Sequence, residues 1–290
     1  MPKTLHAIHP ARPAHWVGDG FFVRSAFTYD DLAAELSPFL LLDHGAPREF
    51  APTERRLGVG PHPHRGFETV TIAFQGEIEH RDSSGGGGVI GPGDVQWMTA
   101  GNGIVHEEFH SERFARTGGT LEMVQLWVNL PRRSKRAPAR YQALAAQAIP
   151  RIALPGGAGE LRVISGSFDG QRGPAESFTP IDLWSLTLND GGAVSLAFTE
   201  GHSSALLVLE GTLELDGERS AREGELVVFS RAGSECRVRA RGAARVLALS
   251  GEPIDEPLVG YGPFVMNTMA EIREAIADFQ SGRMGTLAPR

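Results

Sequence analysis

This 290-residue sequence has one cysteine, Cys236, and two lysines, Lys3 and Lys135. A single thiol excludes an internal disulfide, and it excludes zinc knuckles and iron–sulfur clusters, which need several thiolates. A surplus of positive charge is also missing. The formal net charge is -7, whereas a general nucleic-acid binder needs a basic face to displace counterions. No stretch approaches the ~20 apolar residues of a membrane span, and Met1 to Gly20 has no apolar leader core. These absences predict a cytoplasmic protein with no direct nucleic-acid contact and no membrane contact.

Turn-forming residues and histidine are abundant instead. The chain carries 36 glycines and 19 prolines, dispersed between short apolar runs, which predicts a turn-rich all-β protein and not a disordered one. Strands are expected at 69–74, 124–128, 183–188, 194–198 and 205–209, where β-branched, aromatic and leucine residues dominate. Helices are few. Asp30 to Leu36 reads as a turn or two stopped before Pro38. The clearest helix opens at Thr268 with Glu271 completing a capping box, repeats Ile272, Ala275, Ile276 and Phe279 on one face, and stops at Gly282.

The two halves echo one another. Phe74-Gln75-Gly76-Glu77-Ile78-Glu79 resembles Leu209-Glu210-Gly211-Thr212-Leu213-Glu214, and Pro92-Gly93-Asp94 resembles Glu223-Gly224-Glu225. Two related β-domains follow, one over 1–135 and a second over 136–290 that includes the C-terminal helix. The join is expected in the Pro- and Arg-rich stretch 131–138, and the basic run from Arg132 to Arg140 reads as a solvated linker or a contact surface.

Ten histidines are present, and nine lie at or before His110. His62 and His64 stand at i and i+2, so on an extended chain their imidazoles share one face and can converge on one ion. His106 and Glu108 repeat that spacing. Three neutral nitrogens and one carboxylate suit Fe(II), Mn(II), Ni(II), Cu(II) or Zn(II), and four protein ligands leave two octahedral positions open. The plainer reading is a set of ordinary hydrogen-bonded histidines. Glu68 is the competing carboxylate, and Glu108 is preferred because it shares a strand face with His106. His80 reads as a residue that bonds a loop carbonyl, with a direct metal role as the lesser alternative, His44 as a group near the pocket or a loop residue, His202 as structural or surface, and Phe67 and Met123 as core or cavity lining. The run Ser83 to Gly88 is a hairpin tip and not a phosphate loop, since no helix or lysine follows it.

Gly60-Pro61-His62-Pro63-His64, Glu68, Gly76, Pro92-Gly93-Asp94 and His106 approximate the two cupin motifs. The stretches 62–71, 79–83, 91–101 and 261–268 resemble the pirin family specifically. The resemblance runs from about Ser25 to Gly282. It implies two cupin barrels, of the double-stranded β-helix or jelly-roll kind, in tandem with a short C-terminal helix. It also implies one metal, most often iron, in the N-terminal barrel; Zn, Cu, Mn, Ni and Co are the other candidates. The family's ligands fall on His62, His64, His106 and Glu108. Members resemble quercetin 2,3-dioxygenases, which open a flavonol ring with O2 and release carbon monoxide. The resemblance thus implies a small aromatic, flavonol-like substrate, O2 as co-substrate, and Glu108 as the catalytic base. The alternative it offers is a metal- and redox-dependent regulator that binds a protein partner.

Overall fold

A computed structural model of the chain describes residues 1–215 and 219–289. It is mostly β, with its sheets made of antiparallel strands, and divides into two compact units. The unit that carries the histidines comprises Ala14–Asp31, Phe39–Ala146 and Ile254–Arg290. The other comprises Met1–Pro13, Leu32–Pro38 and Gln147–Pro253.

This partition differs from a single cut at residue 135, and edge pairing is the reason. Leu5–His9 pairs with Leu226–Phe229, so the N-terminal strand belongs to the later unit. Arg140–Leu144 pairs with Val95–Thr99 and so belongs to the earlier one. The C-terminal helix, Met269–Gln280, buries Ile272 and Ala275 against Val105, Phe264 and Met266 of that same unit. The basic stretch is not a solvated linker either. Lys135 is buried and donates to the carbonyls of Gly66 and Val265 and to Asn129 Oδ1. Arg136 forms a two-pronged ion pair with Glu274.

Within the histidine-bearing unit a seven-stranded sheet runs Arg140–Leu144, Val95–Thr99, Phe67–Gln75, Gly119–Asn129, Phe39–Phe50, Phe21–Phe27 and His15–Val17. A four-stranded sheet runs Gly58–His64, Ile104–His110, Ile78–Asp82 and Gly87–Ile90. The sheets face each other, because Glu108 of the smaller one is hydrogen-bonded by side chains of the larger. The second unit holds one nine-stranded sheet around Trp184, Leu206, Leu213 and Val246.

The internal echo is a repeat of backbone geometry. Gly93 N–H donates to Ala73 O at 2.7 Å and Ala73 N–H to Asp94 O at 3.2 Å. In the second unit Gly224 N–H donates to Val208 O at 2.8 Å and Val208 N–H to Glu225 O at 3.1 Å. Of the expected helices, Asp30 to Leu36 shrinks to Ala33–Leu36, while Thr268 caps the last helix by accepting from Glu271 N–H. The short helix Glu112–Thr117, capped by Ser111, was not legible because it offers less than two turns of periodicity.

Candidate metal centre and cavity

His62 and His64 end one strand and His106 sits opposite them, with His106 paired to His62 in register. Strand alternation turns all three rings to the interior, where one nitrogen of each lies within 4.8 Å of the others. Gly66, two residues on, holds φ +89° where a Cβ would come within 2.0 Å of Val265 O, so the chain can turn away there only on a glycine. His62 Nδ1 lies 2.8 Å from Gly60 O, which leaves Nε2 for the cluster.

The electrostatics match a ligand set. Burial, and then the neighbouring imidazoles, hold His64 and His106 well below the ordinary histidine value, so both are neutral at pH 7. Neutral imidazole is the form that binds a metal. Among the described residues His64 Nδ1 and His106 Nε2 are buried with no hydrogen-bond partner. Buried ring nitrogens without partners are costly, and a cation at the cluster would satisfy them.

Glu108 falls into a second group of close ligand atoms, with His106 and His80. Its carboxylate is cradled by the facing sheet. Thr71 Oγ1 and Gln96 Nε2 donate to Oε1 at 3.2 and 2.6 Å, and Gln125 Nε2 donates to Oε2 at 2.9 Å. Glu107, one residue away on the outer face, meets Arg56 and Arg81 instead.

A cavity of about 420 Å³ opens beside His62, His64 and Glu108. Val17, Phe21, Val23, Leu41, Met123 and Trp127 supply apolar walls, and Ser25, Asp43 and Gln125 supply polar points. Such a box suits a flat, largely apolar ligand oriented by a few polar contacts.

Residues 20–128 match the family model Pirin, and residues 183–285 match the Pirin C-terminal cupin domain. The chain belongs to the pirin family. A Pseudomonas aeruginosa protein named "Putative quercetin 2,3-dioxygenase PA2418" is 55% identical to this pirin over 283 residues, 98% of each chain. Pirin-1 of Arabidopsis thaliana is 38% identical over 273 residues, 92% of this chain and 90% of its own. The crystal structure of quercetin 2,3-dioxygenase from Acinetobacter baumannii superposes with a TM-score of 0.97 at 51% identity, covering 99% of both chains.

The structure also fixes the places of the other side chains singled out in the sequence of this pirin. Glu68 is buried and accepts from Thr99 Oγ1 at 2.7 Å, outside both ligand groups. His44 lies 3.8 Å from the buried Glu122 and does not line the cavity; its neighbour Asp43 does. Met123 lines the cavity, whereas Phe67 packs on Trp127 with ring centroids 4.4 Å apart. His202 is buried, 3.3 Å from Ser250 Oγ.

His80 is the larger revision, since among the described residues its ring bonds side chains and no loop carbonyl. Its Nδ1 meets His106 Nδ1 at 3.3 Å, its Nε2 meets Asp82 Oδ2 at 3.2 Å, and Tyr141 stacks on its ring. Tyr141 was invisible in sequence because its strand follows the basic stretch and reads as part of the next domain. The cradle residues Thr71, Gln96 and Gln125 had a weak signal only, as lone polar residues at inward positions of apolar strands.

Proposed function

We propose that this pirin is a metal-dependent dioxygenase that opens a flavonol-type ring with O2. In this reading His62, His64, His106 and Glu108 hold one divalent ion, Fe(II) by preference. The observation that carries the reading is the convergence of three imidazoles, two of them neutral and with buried unpartnered nitrogens, beside an apolar cavity that His62 and His64 line. The relatives named for quercetin 2,3-dioxygenase support the choice of reaction. A bound divalent ion supplies Lewis acidity that lowers the pKa of a substrate hydroxyl.

The chain's own residues do the remaining work. Phe21, Val23, Leu41 and Trp127 hold a flat aromatic substrate and exclude water from it. Glu108 takes the proton of the flavonol 3-hydroxyl, and its oxygens are kept aimed by Thr71, Gln96 and Gln125. His80 and Asp82 fix the orientation of His106.

The test is anaerobic loading with Fe(II), then aerobic incubation with quercetin. Loss of flavonol absorbance with release of carbon monoxide is expected, and both should be absent in His106→Ala and fall at least about 100-fold in Glu108→Gln. No carbon monoxide with Fe(II) or any of the other divalent ions would overturn the reading.

A further inference from the structure

The cavity has a second polar pole that proton transfer at Glu108 leaves unused. Gln96, Thr71, Gln125, Asp43 and Ser25 are successive cross-strand partners on five neighbouring strands of the larger sheet. The first three reach Glu108, and the last two do not. Ser25 Oγ–H donates to Asp43 Oδ1 at 2.5 Å, while Oδ2 has no donor among the described residues. Both side chains line the cavity. At ~4.8 Å between strands, Asp43 stands about 5 Å beyond Gln125 and about 10 Å beyond Thr71.

Asp43 is nonetheless buried, at 9% exposure, beside Leu41 and Met123. Burial pushes its carboxyl above the ordinary aspartate value, and the Ser25 bond opposes that shift only in part. A carboxylate short of donors in an apolar box gains most from an incoming O–H, because the bond forms away from competing water.

We propose that Asp43, oriented by Ser25, accepts a hydroxyl at the end of the substrate opposite the reacting one. The substrate class is then an elongated polyphenol with a donor at each end, and not a ligand with a single enol head. The inference rests on the dioxygenase reading only for which end reacts.

Two flavonols separate the possibilities: 3-hydroxyflavone, which has no distal donor, and 3,4′-dihydroxyflavone, which has one. Binding to the Fe(II)-loaded protein is measured without O2 by fluorescence quenching, and turnover is measured separately in air. The wild type should bind the dihydroxy compound about 10-fold or more tightly than 3-hydroxyflavone. Asp43→Leu should erase that preference while leaving 3-hydroxyflavone binding within about 2-fold. If Asp43→Leu does not fold, Asp43→Asn decides on the same ratio, which should shrink. A preference that depends on Asp43 without any turnover sustains the inference and sinks the dioxygenase reading. Turnover with an unchanged ratio in the variants does the reverse. Failure of the wild type to prefer the distal hydroxyl, or to bind either compound, overturns the inference.

Discussion

His80 Nδ1 lies 3.3 Å from His106 Nδ1, so one proton serves two ring nitrogens of the same kind. If His106 offers its unpartnered Nε2 to an ion, its own proton must sit on Nδ1. His80 then accepts at Nδ1 and donates from Nε2 to Asp82 Oδ2. Burial alone would raise the Asp82 carboxyl; the bonds from His80 and Ser84 outweigh it and hold the group below the ordinary range. Asp82 is thus an ionised anchor for the chain of rings.

Removing the anchor should loosen the metal and spare the fold. Asp82→Asn and His80→Phe are each expected to weaken Fe(II) or Zn(II) binding about 10- to 100-fold. Competition against a chelator of known affinity measures it, with thermal melting as the control.

Glu68 sets a pH dependence of stability. Burial raises its carboxyl from the ordinary value of 4.5 to about 7, against the opposing bond from Thr99. The folded chain therefore holds that proton more tightly than the unfolded chain does. The stabilisation is fully present below about pH 4.5 and is lost as pH rises through about 7, by at most about 3 kcal/mol. Urea unfolding of the metal-free protein between these limits should show the decline, and Glu68→Gln should flatten it.

Both lysines are structural. Lys3 donates to the carbonyls of His202, Ser230 and Arg231, and Lys135 to three oxygens that include Gly66 O. A brief amine-reactive label on the native protein should mark the α-amine and spare both lysines, while the unfolded chain takes label at all three. Lys135→Met should cost at least about 3 kcal/mol, because it strands buried acceptors beside the turn that follows His64. Denaturant unfolding reads that loss.

The cradle of Glu108 should matter more for rate than for binding. Gln96→Leu removes the 2.6 Å donor to Oε1 at a position that does not line the cavity. A fall in kcat of about 10-fold or more is expected with a small change in KM, measured by flavonol absorbance.

Much of the barrel was readable because a strand repeats every two residues. His62 with His64, and His106 with Glu108, needed only parity to be placed on inner faces. The ring chain could not be read that way. Whether His80 meets His106 depends on how Ile78–Asp82 registers against Ile104–His110, where Glu108 and not His106 is its cross-strand partner. Asp43 and His44 show the cost of a single residue in parity, since one faces the cavity and the other does not. Segment ownership was hidden as well, because edge strands from the start and the middle of the chain join sheets that a single cut between them would assign to the other unit.

The proposed function stands or falls on a single ion held by His62, His64, His106 and Glu108. The decisive measurement is the metal content of protein purified without chelators, compared with His64→Ala and His106→Ala that remain folded. One bound equivalent per chain in the wild type and near-complete loss in both variants is the predicted result. A full equivalent retained in either variant, or none taken up by the wild type from any divalent ion, would contradict it.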